Sequence, residues 1–249
     1  MVSEIHVFGD SHSTYFFPSD FYVGRLGLKH PQAYKVTGEA ISAASIMGFR
    51  PRASTLDTKK KIEHALPNAS RMVFAFGQVD LELGFYFRKV VKGEDVDVEQ
   101  FCAFLLESYR EFVSGVAGKV DLAVKGVNLT ALSPRNFAIK YISGIITGNN
   151  DFERSRAEQG VRDVVMAERQ QNEMHILFNS MLREMCASLG VRYFDIVSET
   201  ATGGVAGATM QYPRLSDVYK TSKFDHHFAD TVEVRKIHYF ALGRVFGFL

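Results

Sequence analysis

The sequence predicts an α/β fold, in which a parallel sheet of about five strands carries helices on both faces in a flavodoxin-like α/β/α sandwich. Short apolar runs recur along the chain, and segments with the apolar spacing of helices fill the gaps between them. This alternation is typical of parallel sheets joined by right-handed crossovers. With 249 residues, the chain has the length of one domain covering residues 1–249.

Individual elements follow from these patterns in chain order. Apolar runs predict strands at residues 5–8, 72–76, 120–127 and 191–196, and a weaker run predicts one near residues 34–37. One helix face runs from Val98 to Val116 and another from Met174 to Leu189, and a glycine stands shortly after each. A last helix is predicted from Val234 to Val245. Cys102 and Cys186 lie on the apolar faces, so we expect buried thiols rather than a disulfide.

Two stretches do not fit the minimal strand and helix pattern. They lie near residues 81–97 and 129–159, and each follows a strand at the edge where the carboxyl ends of the strands meet. They are candidates for loops or lids that shape a substrate site, and ordinary surface insertions are the alternative.

Composition excludes several classes of partner. The chain has 29 basic and 28 acidic side chains, so it shows no electrostatic footprint for nucleic acid or acidic lipid. No apolar run approaches the ~20 residues that span a bilayer. The first residues show no secretory signal, which favours a cytoplasmic location. Glycine patterns for phosphate binding are absent, so no cofactor is implied. An oligomer is compatible with the sequence.

A candidate nucleophile follows the first strand. The run Gly9-Asp10-Ser11-His12-Ser13 brings a serine to the carboxyl edge of the sheet, where α/β proteins bind ligands. A helix that starts there supplies N–H donors for a developing oxyanion. The alternative is that Asp10, Ser11 and Ser13 only cap a helix or close a turn.

A candidate base lies near the other end, in a run that contains Asp225, His226 and His227. A serine nucleophile needs such a base to take its proton. Two other interpretations stay open. The histidines, flanked by Asp225 and Asp230, could bind zinc or iron, although no metal motif supports a metal site. They could also belong to a solvated polar loop.

Together these two runs resemble the Gly-Asp-Ser and Asp-x-x-His blocks of the SGNH/GDSL hydrolase superfamily, although Asp225 lies two residues before His227 where the family's acid lies three before its histidine. The added His12-Ser13 resembles a divergent branch associated with polysaccharide modification. The resemblance implies the three-layer fold, with Ser11 as nucleophile and Asp225 as the acid that orients a histidine. His227 fits the catalytic histidine because the residues after it match the family's apolar-small pair, and His226 is the alternative base.

The middle blocks of the family match less closely. Ala43 stands where the family has the glycine whose N–H helps to bind the oxyanion, and Val79 stands where it has an asparagine. One lost oxyanion donor costs about 3 kcal/mol of transition-state stabilisation. We therefore expect the Gln78 side chain to replace the missing amide, beside the N–H groups of Ser11 and Ala43. The remaining candidate oxyanion or substrate-binding residues are Asp10 and His12.

The resemblance implies a serine-dependent ester hydrolase or O-acyltransferase that works through an acyl-serine. The expected substrate is an O-acyl group, in the first place acetyl, on a carbohydrate or another small polar molecule. The alternative function is a catalytically weak protein of the same fold that binds a glycan, because Val79 removes one oxyanion donor.

Overall fold

Five parallel strands form one sheet. The computed structural model describes residues 3–17, 34–50, 56–148, 151–202 and 213–249. The strands are β1 (Ser3–Gly9), β2 (Tyr34–Ala40), β3 (Arg71–Ala75), β4 (Asp121–Lys125) and β5 (Arg192–Phe194). Their order across the sheet is β2-β1-β3-β4-β5, which is the flavodoxin-like order. The predicted α/β class and sheet are confirmed.

Strand lengths differ from prediction at the two edges of the sheet. β2 pairs only with β1 and continues to Ala40, beyond the predicted residues 34–37. Its side chains are mostly partly exposed, and this mixture explains the weak apolar signal. β5 has three residues because the chain leaves the sheet early. The Asp195 carboxylate then accepts the N–H of Val197 at 3.1 Å, where a short helix begins.

Helices cover both faces of the sheet. They are α1 (Thr58–Ala65), α2 (Val98–Val116), α3 (Arg135–Ile146), α4 (Asp151–Val164), α5 (Glu168–Ser188), α6 (Val197–Thr200) and α7 (Val232–Val245). The central strand β3 is buried on both faces. Phe74 belongs to the cluster that includes Phe101 of α2 and Phe178 of α5, whereas Val73 belongs to the cluster that includes Leu242 of α7. This arrangement is the predicted three-layer sandwich.

The predicted helices form with small differences in their bounds. α2 begins after Asp97, whose carboxylate accepts the N–H of Gln100 at 2.7 Å. α5 begins at Glu168, six residues before the apolar face that predicted it. Cys102 and Cys186 are both buried and free, as expected. Among the described residues, no helix combines the length and apolarity needed to span a membrane.

The two stretches expected as loops or insertions are largely helical. Residues 78–91 form a helix with two π-helical stretches, Asp80–Gly84 and Phe87–Val91. The 129–159 stretch contains α3 and the beginning of α4, and its residues 149–150 lie outside the described part of the chain. Both stretches pack beside the carboxyl end of the sheet, where they supply walls for the cavity described below.

Candidate active site

Ser11 lies at the carboxyl end of β1, immediately after a tight turn. A side chain at Gly9 would meet a backbone carbonyl oxygen of β3 at 2.5 Å, so the close approach of the two strands requires glycine. Asp10 caps the short 3-10 helix Ser11–Phe16, and its carboxylate accepts the N–H of His12 at 3.0 Å. The capping interpretation is therefore correct for Asp10, but it leaves the Ser11 hydroxyl available for another partner.

That partner is His227. Its Nε2 lies 2.7 Å from Ser11 Oγ, and its Nδ1 lies 2.6 Å from Asp225 Oδ1. With the proton on Nδ1, the ring donates to Asp225 and accepts from the Ser11 hydroxyl. The same carboxylate oxygen also accepts the N–H of His226 at 2.7 Å. The segment before α7 thus brings a base and its orienting acid to the serine, in the geometry of a serine-histidine-aspartate triad.

The surroundings keep both partners of this pair in useful protonation states. Burial, and then the charge of His226, lower the pKa of His227 below its usual value. Burial raises the pKa of Asp225, but the hydrogen bond and charge of His227 outweigh it and lower that pKa overall. At neutral pH His227 is therefore an unprotonated base beside an ionised carboxylate, which is the state that proton abstraction requires.

The backbone N–H groups of Ser11 and Ala43 are the candidate oxyanion donors. Ser11 and Ala43 both line one cavity, and neither N–H donates to another residue in the described part of the chain. Ala43 has a φ of 59°, in the left-handed region that favours glycine. Ala43 thus adopts a backbone conformation that a glycine would adopt at lower cost. Free donors beside a nucleophile are the elements of an oxyanion hole.

The strained backbone of Ala43 predicts that replacing this alanine with glycine stabilises the protein, whereas such a change usually destabilises it. A left-handed φ costs a residue with a Cβ about 1–2 kcal/mol, so Ala43→Gly should raise the free energy of unfolding by about 0.5–1 kcal/mol after the entropy of glycine is counted. Ala103, which is exposed in the middle of α2, is the matched control, and Ala103→Gly should lower stability by about 1 kcal/mol. Urea unfolding measures both, and destabilisation by Ala43→Gly would contradict the strain.

Gln78 does not supply the missing oxyanion donor, and this prediction was wrong. Its carbonyl accepts the N–H of Asn128 at 2.7 Å, and its amide nitrogen donates to Glu82 at 3.0 Å and to the Asn128 carbonyl at 3.4 Å. The side chain is 3% exposed and is absent from the cavity wall beside Ser11. Gln78 begins a helix, so its side chain and that of Val79 diverge.

Val79 belongs to the wall of the cavity that also contains the nucleophile. Its side chain lines the cavity with Ser11 and Ala43, as expected for the position where the family has asparagine. A valine cannot donate a hydrogen bond. Among the described residues, the donors for an oxyanion at this site are therefore backbone N–H groups.

Asp10 and His12 do not form a substrate-binding surface, which corrects the expectation for both. Asp10 is 1% exposed and also accepts the N–H of Gln78 at 3.2 Å, which ties the turn after β1 to the helix after β3. Burial raises its pKa to about 6. His12 is 4% exposed and stacks on His227 with 4.2 Å between ring centroids. Burial holds the pKa of His12 well below its usual value. Asp10 thus stabilises the turn that carries Ser11, and His12 packs against the ring of His227.

His226 belongs to a second buried pair that the sequence did not reveal. Its Nδ1 lies 2.8 Å from Glu82 Oε2, and Glu82 is fully buried. The other oxygen of Glu82 accepts from Thr130 Oγ1 at 2.8 Å. Burial raises the pKa of Glu82, but hydrogen bonding and charge from His226 lower it overall. The spacing of four residues between Gln78 and Glu82 could have indicated that their side chains lie on one face of a helix. Glu82 lies in a stretch that we expected to be a loop or an insertion.

The residues that could bind a metal ion differ from those expected from the sequence. Asp230 forms an ion pair with Arg235 at 2.6 Å, and Asp225 binds His227, so neither flanks a metal site as expected. His12, His226 and His227 instead place ring nitrogens within 4.8 Å of one another. His12 stacks on His227 rather than facing a shared point with it, and the Nε2 of His227 is engaged by Ser11.

Comparisons with solved structures identify the fold. The chain is similar to Est24, a carbohydrate acetylesterase from Sinorhizobium meliloti, with a TM-score of 0.53, 13% identity and coverage of 99% of this chain and 100% of that one. It is also similar to an SGNH hydrolase from Slackia heliotrinireducens (TM-score 0.51, 11% identity, coverage 99% and 100%). A GDSL-like lipase from Bacteroides thetaiotaomicron gives a TM-score of 0.51 at 10% identity, with coverage of 99% and 89%.

No protein-family model and no curated protein matches the chain. The fold of this chain is that of the SGNH/GDSL hydrolases, as its sequence motifs implied.

Proposed function

We propose that this protein is a serine-dependent ester hydrolase. The observation that carries the proposal is the chain of two short hydrogen bonds, from Ser11 Oγ to His227 Nε2 and from His227 Nδ1 to Asp225. Such a chain raises the nucleophilicity of a serine. Its position beside two free N–H groups and a cavity of about 580 Å³ supports a role in catalysis rather than in folding alone.

Each residue has a defined role in the proposed reaction. Ser11 attacks the ester carbonyl while its proton passes to His227, whose positive charge Asp225 stabilises. The N–H groups of Ser11 and Ala43 bind the oxyanion. His227 then protonates the departing alcohol, and an acyl group remains on Ser11. Water resolves this acyl-enzyme in a hydrolase, and an acceptor alcohol resolves it in the alternative O-acyltransferase.

The acetylated carbohydrate expected from the sequence is one substrate for this chemistry. Est24, which shares the fold, is described as a carbohydrate acetylesterase. At 13% identity that description concerns Est24 alone, so the substrate of this chain has to be inferred from its own cavity wall.

Labelling with a fluorophosphonate tests the proposed function. We expect the wild-type protein to gain one phosphonate on Ser11, read by peptide mass spectrometry, because only an activated serine reacts. Ser11→Ala should not be labelled. The control is Ser114→Ala, which removes an exposed hydroxyl of α2 that bonds to the Arg110 carbonyl and should label like the wild type. Absence of labelling in the folded wild type would overturn the proposal.

One observation favours the second candidate function, a weakly catalytic protein that binds its ligand in the same cavity. Neither Val79 nor Gln78 supplies a side-chain donor for the oxyanion, since Val79 is apolar and the amide nitrogen of Gln78 donates to Glu82 and Asn128. The absence of one donor typically lowers kcat by about 10²–10³.

Val79→Asn measures this deficit. If the protein is an esterase with an incomplete oxyanion hole, we expect the variant to raise kcat at least about tenfold with little change in KM, because the new amide acts mainly on the transition state. Val79→Thr, a variant with nearly the volume of valine but a shorter reach, is the control. A wild type without turnover and a Val79→Asn variant without any gain would favour the binding protein.

A further inference from the structure

The cavity beside Ser11 is mostly apolar. Its wall includes Met47, Leu83, Phe87, Phe101, Ile145 and Ile146, and the side chains of Phe87 and Ile145 remain substantially exposed at 37% and 49%. A volume of about 580 Å³ lies within the range of about 300–1,000 Å³ that drug-sized ligands occupy. An acetyl group alone would leave most of this wall without contact.

Some polar groups of the cavity wall already have hydrogen-bond partners. Asp80 accepts the N–H of Ile46 at 2.8 Å, and Ser45 Oγ accepts the N–H of Gly48 at 3.3 Å. A sugar ring carries many hydroxyl groups, and each that enters an apolar site without a partner costs free energy. The apolar part of this wall therefore suits an apolar group better than a sugar.

Three cationic side chains line the same cavity: Arg50, Arg88 and Lys92. The guanidinium groups of Arg50 and Arg88 lie 5.3 and 4.3 Å from the centroid of one ring, that of Phe104. This shared contact holds two positive charges near each other.

Among the described residues, Glu94 is the one carboxylate that forms ion pairs with this cationic group. Glu94 lies 2.5 Å from Arg88 Nε and 3.9 Å from Lys92 Nζ, whereas Arg50 forms no ion pair with any described residue. The whole chain has a net charge of +1, so the excess of positive charge is local. A cluster in which cationic side chains outnumber the acids paired with them is typical of sites that bind phosphate or carboxylate groups.

We infer that the substrate is an amphiphilic ester with an apolar acyl group longer than acetyl and an anionic group on its alcohol side. The inference rests on the proposed function, which places the acyl carbon beside Ser11. The acyl chain contacts the apolar wall, and Arg50 and Arg88 bind the phosphate or carboxylate. The Ser11 oxygen bonds to the acyl carbon as the ester C–O bond breaks, and the alcohol leaves with the proton from His227. Water then releases the acid.

Matched chromogenic esters test the anionic group. The neutral substrate is 2-nitrophenyl butanoate, and the anionic one is its carboxylated analogue, 3-butanoyloxy-4-nitrobenzoate. We expect wild-type kcat/KM to favour the anionic ester at low salt, and Arg50→Ala to lower the ratio of the two values about tenfold. Arg110→Ala removes an arginine on α2 that does not line the cavity and should leave the ratio unchanged. A ratio that Arg50→Ala does not alter would overturn the inference.

Acyl chain length is tested with 4-nitrophenyl esters of increasing length. Wild-type kcat/KM should rise from acetate to hexanoate, about fourfold for each added methylene that becomes buried. A maximum at acetate would contradict the assigned role of the apolar wall.

Binding separates a failure of this inference from a failure of the proposed function. Calorimetry on Ser11→Ala compares octyl phosphate with octyl glucoside, which carry the same chain on an anionic and a sugar head group. We expect octyl phosphate to bind at least tenfold more tightly, and Arg50→Ala to remove the difference. Equal or tighter binding of octyl glucoside would overturn the inference in favour of a carbohydrate. Neither result requires hydrolysis. The binding experiment therefore tests the preference for an anionic ligand even if the protein hydrolyses no ester.

Discussion

Replacing Ser11 with alanine is expected to lower kcat/KM for 4-nitrophenyl acetate at least about 10³-fold, since removal of the nucleophile leaves only the oxyanion donors and the binding site. The fold should survive, because the Ser11 hydroxyl bonds only to His227 among the described residues. Turnover by the purified variant, with unfolding measured in parallel, checks both statements.

Two other serine residues show why the expected loss of activity is specific to Ser11. Ser13 Oγ donates to the Asp10 carbonyl at 2.7 Å inside the turn and cannot reach the cavity wall. Ser114→Ala, on the far face of α2, should keep wild-type turnover. Activity of Ser11→Ala within a few-fold of the wild type would show that another group performs the attack.

Changing His227 is expected to be far more damaging than changing His226. Asparagine is the informative replacement, because its amide keeps a donor near the Nδ1 position for the carboxylate but lacks an atom at Nε2. His227→Asn should lower kcat by about 10²–10⁴, the range for a general base. His226→Asn should lower it less than tenfold, because His226 contacts Glu82 rather than Ser11. A larger loss of kcat in His226→Asn than in His227→Asn would show that His226 is the general base.

The pH profile identifies the same base. Only the neutral form of His227 accepts the serine proton, and burial and the charge of His226 lower its pKa. The kcat/KM of the wild type should therefore rise with pH through a pKa below 6.5 and level off above it. His227→Asn should lose this acidic limb. A limb centred well above pH 6.5 would contradict the environment described for the ring.

Sequence reasoning was most successful where local patterns and chemistry agree. The apolar runs located all five strands, and the turn after Gly9 with the run before α7 located the three side chains that meet at the carboxyl edge. Ser11 and Asp225 are far apart in the chain, so their meeting depended on the topology of a doubly wound sheet, which the alternation of elements predicted.

The wrong site predictions concern polar residues that are buried, because the sequence alone does not show whether a polar residue is buried or exposed. Asp10, His12 and Gln78 were expected at the substrate surface, but each is less than 5% exposed and serves the support behind the triad. Glu82 was missed for the same reason. Asp10, Gln78 and Glu82 are tolerated in the interior because each has hydrogen-bond partners that only the folded chain assembles. The ring nitrogens of His12 have no hydrogen-bond partner among the described residues, and its ring stacks on His227.

The central claim is that Ser11 carries the acyl group during turnover, and rapid acid quenching tests it directly. Wild-type protein mixed with excess 4-nitrophenyl acetate is quenched within the first turnovers and digested, and its peptides are analysed by mass spectrometry. We predict one acetyl group on the peptide that contains Ser11, formed at the rate of 4-nitrophenol release and lost when substrate is exhausted. Turnover that leaves Ser11 unmodified, or acetylation at another residue with the same kinetics, would contradict the claim.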